Sequence, residues 1–151
     1  SGTPPPIPPA MPGPAGLADL AVFTSGTEGY NTFRIPAIVQ TRQEGVVLAF
    51  AEGRKLSSAD HGWNDIVMKR STDNAHTWSN LSIVHGESSA ENHVVIGNPA
   101  PIVDMASGRV HMIFSRNNAE VGVLHSDDHG ITWSKVTELT DSLMKPSNLT
   151  T

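Results

Sequence analysis

Ser71-Thr72-Asp73-Asn74-Ala75-His76-Thr77-Trp78 returns about 55 residues later as Ser126-Asp127-Asp128-His129-Gly130-Ile131-Thr132-Trp133, with Ser, Asp, Thr and Trp in the same four places. A spaced pattern met twice in one short chain marks an internal repeat. Upstream of each copy the neighbourhood also repeats. Ile38-Val39 corresponds to Ile102-Val103, and Val46–Phe50 to Val110–Phe114, both at an offset of about 64. Runs rich in β-branched and aromatic residues, bounded by Gly, Ser and Asn, predict strands at Phe33–Gln40, Val46–Ala51, Asp65–Ser71 and Leu81–His85. A second set is predicted at Asn98–Asp104, Arg109–Ser115, Val121–Ser126 and Val136–Leu139. No window sustains a helical period, so the chain is predicted to be all-β. Two consecutive four-stranded antiparallel units of this size predict blades of a β-propeller, over about 30–90 and 95–140.

The offset falls from about 64 to about 55 between the second and third strands, which gives the first unit roughly nine extra residues within Gly53–Asn64. An insertion confined to one repeat marks a functional loop, because the scaffold does not need it. The repeated octapeptide itself reads as structural. In the second copy Asp128 can accept hydrogen bonds from turn amides, Gly130 can take a positive φ, and Trp133 can plug the space between strands. The first copy has Ala75 where the second has Gly130, which is expected to strain the turn or change its type.

With 151 residues the chain is long enough for an ordinary core. A net charge of -5, with no cluster of Lys and Arg, excludes nucleic acid as the main partner. The absence of cysteine removes disulfides and thiolate metal sites and leaves the redox compartment undecided. No apolar run approaches the roughly 18 residues needed to span a bilayer. Pro4, Pro5, Pro6, Pro8, Pro9, Pro12 and Pro14 make residues 1–18 an expected extended tail or linker. Ser1 opens the chain without an initiator Met or leader, which suggests a processed product or a fragment. Asn80-Leu81-Ser82 and Asn148-Leu149-Thr150 fit the N-glycosylation acceptor pattern, a short one that arises often by chance.

Tyr30-Asn31-Thr32-Phe33-Arg34-Ile35-Pro36 precedes the first octapeptide and is similar to the FRIP arginine motif of the sialidase family. The two octapeptides are similar to that family's Asp box, Ser-x-Asp-x-Gly-x-Thr-Trp. On these motifs the chain resembles a sialidase. The resemblance implies a six-bladed propeller, of which residues 19–151 would form the N-terminal part with about two blades; the remaining blades are expected from a longer chain. It also implies an exo-α-sialidase that hydrolyses terminal sialic acid from glycoproteins, glycolipids or oligosaccharides with retention. No metal or other cofactor is implied. Sialylated glycoconjugates are the expected partners, and a secreted, lysosomal or cell-surface setting is favoured.

By the same resemblance Arg34 supplies one member of the arginine triad that grips the sialic acid carboxylate, as suits a planar, permanently charged guanidinium. Asp60, in the inserted loop, corresponds to the acid/base that protonates the leaving aglycone and later activates water. Arg54 corresponds to the arginine near the 4-hydroxyl of the sugar and beside that aspartate. Asn98 is taken as the ring equivalent of Arg34, in contact with a glycerol or 4-hydroxyl group. Trp63 and Met105 are candidates for an N-acetyl pocket, although core packing or an exposed loop fits both better, and Asp65 reads as a strand start. The Asp boxes would lie on the face opposite the active site. His61, His76, His85, His93, His111, His125 and His129 show no paired spacing on one strand face and no cysteine joins them, so no metal site is assigned.

In that family the nucleophile is a tyrosine activated by a glutamate. Tyrosine suits a substrate that carries a carboxylate at the reacting carbon, because a charged nucleophile would be repelled. Tyr30, the only tyrosine here, precedes the arginine motif and cannot be assigned that role. The nucleophile, its glutamate and two further arginines are expected from later blades, so the 151-residue chain by itself is expected to be inactive. Two other readings stay open: a non-catalytic Asp-box propeller module that binds glycan or protein, and a sialyl-transferring relative.

Overall fold

The computed structural model describes residues 20–144, so the proline-rich stretch 1–18 and the acceptor sequence at Asn148 lie outside the described residues. Eight strands form two four-stranded antiparallel sheets in simple up-and-down order. The first sheet holds β1 (Thr32–Gln40), β2 (Val47–Arg54), β3 (Asn64–Ser71) and β4 (Ser82–His85). The second holds β5 (Ile96–Val103), β6 (Val110–Arg116), β7 (Glu120–Ser126) and β8 (Thr137–Glu138). Each expected strand is present within a few residues of its predicted ends. The last is only two residues long, and a five-residue helix, α1 (Thr140–Met144), follows it where no helix was expected.

The core lies between the sheets. On β2, Leu48 and Phe50 point to one face and join Ile66 and Met68 of β3 with Ile96, Val110, Met112, Phe114 and Leu124 of the second sheet. Trp133 of the second Asp box packs against this cluster, its ring 6.0 Å from that of Phe50 in an edge-to-face arrangement. On the opposite face of β2, Ala51 packs with Val67 and Tyr30, flanked by Phe23 and Phe33. Because β2 is covered on both faces, nearly all of it is buried. Period-two alternation then puts Glu52 and Arg54 on the same face as Leu48 and Phe50, at the end of the strand where the apolar packing stops.

The repeat is tighter than the sequence match suggested. Val47 and Val110 pair with Ser71 and Ser126 respectively, so β2 and β6 correspond at an offset of 63. Both inner hairpins carry a bulge, between Arg34 and Ala37 in β1 and between Gly97 and Ala100 in β5. Ile35-Pro36 therefore matches Asn98-Pro99, and the counterpart of Arg34 is Gly97. The expected equivalence of Asn98 with Arg34 is corrected by one residue. Ile35 (φ 51°) and Asn98 (φ 54°) share the same left-handed bulge conformation. For a β-branched residue such a φ is strained, and here it sits beside the candidate site. The insertion in the first unit is accordingly eight residues, from 63 against 55.

The Asp-box turns share their main hydrogen bonds, although Ile131 N donates to Asp128 Oδ1 in the second copy where His76 N donates to the Asp73 carbonyl in the first. Ser71 Oγ accepts from Ala75 N at 2.9 Å, and Ser126 Oγ from Gly130 N at 2.8 Å. Asp73 Oδ1 accepts from Thr77 N, and Asp128 Oδ1 from Thr132 N, at 2.9 and 2.8 Å. Ala75 therefore does not change the turn type. It takes φ 67° where Gly130 takes 86°, so the expected strain is present in an unaltered turn.

Candidate functional site

Arg34, Arg54 and Asp60 come from the start of β1, the end of β2 and the inserted loop, and they meet. Asp60 Oδ1 lies 2.7 Å from Arg54 Nη2 and 3.5 Å from Arg34 Nη1, bridging two guanidinium groups. Their settings differ. The Arg54 side chain is 3% exposed, whereas those of Arg34 and Asp60 are 50% and 78% exposed. Arg54 is fixed further by two bonds to Glu52 Oε2, at 2.7 and 3.0 Å, and by donation from Nη1 to the Ser58 carbonyl at 2.6 Å. Burial opposes its charge, but the bonds to Glu52 and Asp60 outweigh burial and hold its pKa above the ordinary arginine value.

Glu52, buried on the same strand face as Arg54, was not singled out from the sequence. Its other oxygen accepts from Asn98 N at 2.8 Å, which ties the second sheet to the site. A Cβ at Gly97 would lie 2.6 Å from Glu52 Oε1, so glycine is required for that approach. Asn98 donates from its side chain to Ser115 Oγ at 2.9 Å. A cleft of about 280 Å³ is lined by Ile35, Glu52, Arg54, Asp60, Asn98 and Asn118. Arg34 stands at its edge and also lines an adjoining cleft with Phe33 and Pro36. All four candidate residues thus lie in or beside one opening, at the end of the strands remote from the Asp boxes.

A larger cleft of about 440 Å³ lies at that other end, between the two box turns, lined among others by Arg70, Trp78, Asn80 and Ile131. It gathers no comparable set of converging charges. Asn80 is exposed there. Met105 is 65% exposed in the turn between β5 and β6, at the box end, and so does not line the candidate cleft. Trp63 donates from Nε1 to Asp65 Oδ2 at 3.2 Å, and Lys55 Nζ lies 4.2 Å from its ring. Asp65, the second residue of β3, is buried and also accepts from the Tyr30 hydroxyl at 2.9 Å. Burial first, then Asp65, pushes the Tyr30 phenol above its ordinary pKa, which removes it further from any nucleophilic role. His111 and His125 face each other across β6 and β7 with ring centroids 6.2 Å apart, a pairing that same-strand spacing could not reveal. Among the described residues no helix is long and apolar enough to cross a membrane.

Two adjacent four-stranded sheets, Asp boxes at one end and an arginine-carboxylate cleft at the other, define a protein of the Asp-box propeller class. The chain belongs to the BNR repeat-like domain family, which matches residues 45–150. The proteins it resembles within that class are sialidases. It is 32% identical over 146 residues to a sialidase of Micromonospora viridifaciens, covering 85% of this chain and 22% of that protein. It is likewise 32% identical over 145 residues to a sialidase of Clostridium perfringens, covering 85% of this chain and 38% of that one. The structure of a Hadza microbial sialidase superimposes with a TM-score of 0.68 and 28% identity, over 78% of this chain and 28% of the other. The chain thus spans between about a fifth and two fifths of the length of these sialidases.

Proposed function

We propose that these residues form two blades of a retaining exo-α-sialidase that removes terminal sialic acid from glycoproteins, glycolipids or oligosaccharides. The observation that carries this reading is the meeting of Arg34, Arg54 and Asp60, 20 and 6 residues apart along the chain, on one cleft. The likeness to sialidases over most of the chain supports it.

In this mechanism the half-exposed Arg34 guanidinium pairs with the substrate carboxylate, which can accept two parallel N–H bonds. Arg54, buried and held by Glu52, offers a preorganised positive charge beside the 4-hydroxyl region, with no reorganisation needed on binding. Asp60 is exposed toward the departing group. It donates its proton to the glycosidic oxygen as the C–O bond breaks, then takes a proton from the water that attacks the glycosyl intermediate. Asn98 Oδ1 remains available to a sugar hydroxyl, since the amide nitrogen is engaged by Ser115. The nucleophilic tyrosine, its glutamate and two further arginines come from blades outside these two, so residues 1–151 alone are inactive.

Asp60→Ala in the enzyme that carries these blades tests the acid role. Hydrolysis of natural sialosides is expected to fall on the order of 10²–10⁴-fold, with a much smaller loss on a sialoside whose phenolic leaving group needs no protonation. Equal losses on both substrates would refute the assignment.

A further inference from the structure

We propose that Asp65, with Tyr30 and Trp63, forms a buried clamp that fixes the inserted loop, which makes Asp65 a positioning residue for Asp60. The inference rests on the acid/base reading of Asp60 above. Asp65 Oδ2 accepts from two donors that belong to different parts of the site. One is the Tyr30 hydroxyl, four residues before Arg34, and the other is Trp63 Nε1, the last residue before β3.

The surroundings of the carboxylate are built closely around it. Asp65 pairs with Gly53, the residue between Glu52 and Arg54, and the Tyr30 ring lies over that glycine. A Cβ at Gly53 would come within 2.7 Å of the Tyr30 ring and 2.9 Å of Val67. A Cβ at Gly86 would come within 2.2 Å of Asp65 Oδ1, so the segment after β4 closes over the other side. Both glycines are therefore needed for the clamp to close. The loop is tied at its base by Lys55 N donating to the Trp63 carbonyl at 2.9 Å, and at its middle by the Arg54 bond to Ser58. Trp63 thus joins the loop's closing residue to a buried carboxylate, and Tyr30 joins the same carboxylate to the segment that leads into Arg34. Burial pushes the Asp65 carboxyl up while the two donors, Lys55 and His85 pull it down, and burial prevails.

Two conservative variants of the full enzyme separate the ties. Trp63→Phe keeps a ring and removes the donor of the loop; Tyr30→Phe removes only the hydroxyl. Amide hydrogen exchange at Lys55, whose N–H is bonded to the Trp63 carbonyl, is expected to quicken about tenfold in Trp63→Phe, as for loss of a part-buried bond to a charged acceptor. In the same variant kcat on a natural sialoside should fall with KM unchanged, while kcat on a phenolic sialoside is spared. Tyr30→Phe should show a weaker form of the same pattern. Unchanged exchange in both variants would overturn the clamp. Faster exchange with equal kcat losses on both substrates would overturn the positioning role. A wild-type protein that turns over no sialoside, yet whose loop exchange responds to Trp63→Phe, would sink the activity reading and support the clamp.

Discussion

Replacing Ala75 with glycine should stabilise the protein, although it removes a side chain and adds flexibility to the unfolded chain. Ala75 has φ 67° in a turn whose hydrogen bonds match those around Gly130. A left-handed conformation costs an L-residue roughly 1–2 kcal/mol that glycine does not incur. Glycine loses about 0.4–1 kcal/mol through the greater entropy of the unfolded chain. The difference leaves a gain of about 0.5–1 kcal/mol, or a rise of a few degrees in Tm for a domain of this size. The reciprocal change is not symmetric. Gly130→Ala meets the same backbone cost at φ 86° and places its Cβ 2.8 Å from both Leu48 methyl groups, so overpacking adds about 1–3 kcal/mol. Urea unfolding of both variants at equal m-values checks the pair. A neutral or destabilising Ala75→Gly would refute the argument that both boxes share one strained turn.

Glu52→Ala leaves the buried Arg54 guanidinium with Asp60 as its only carboxylate near neighbour among the described residues, and should cost about 3 kcal/mol in chemical unfolding. Asp128 lies well below the ordinary carboxylate range, at about 2, because its bonds to Thr132, Ser126 and the turn amides outweigh the opposing effect of burial. A depressed folded-state pKa gives stability that is present above the unfolded value near 4 and lost as pH falls through the folded one. Unfolding followed from about pH 4 to 2 should show this loss in the wild type, and Asp128→Asn should make it shallower, the remainder coming from Asp73 and the other carboxylates held below their ordinary range. Arg34→Ala should raise KM and lower kcat/KM on any sialoside by a hundredfold or so, with Tm nearly unchanged because the side chain is half exposed; a large fall in Tm would show a structural ion pair instead.

The fold was legible because each strand carries its own local signature and the octapeptides fix the repeat. Its register was less so. The Ile-Val pair aligns the units one residue away from the true match, and the slip shows only in the strand pairing with the boxes and in the bulges at Ile35-Pro36 and Asn98-Pro99. Ala75 was correctly read as strained, but sequence could not say whether the turn would yield or hold. Of the site, the motif residues and the place of Arg54 beside Asp60 were expected from the resemblance, while the contact of Asp60 with Arg34 and the hold of Glu52 on Arg54 were not, since they depend on how the inserted loop folds back. Glu52 was missed because the predicted strand stopped at Ala51; with β2 running to Arg54, alternation puts Glu52 on the same face as Arg54. Tyr30 and Asp65 had none, because their bond spans 35 residues and two elements.

Time-resolved proton NMR of sialyllactose with the complete protein that carries these blades, purified from its source, tests the central claim most directly. The account predicts that free sialic acid appears first as the α-anomer and then equilibrates, and that Arg34→Ala removes this release. Initial release of the β-anomer, or no release by a folded protein that still binds sialyllactose, would contradict it.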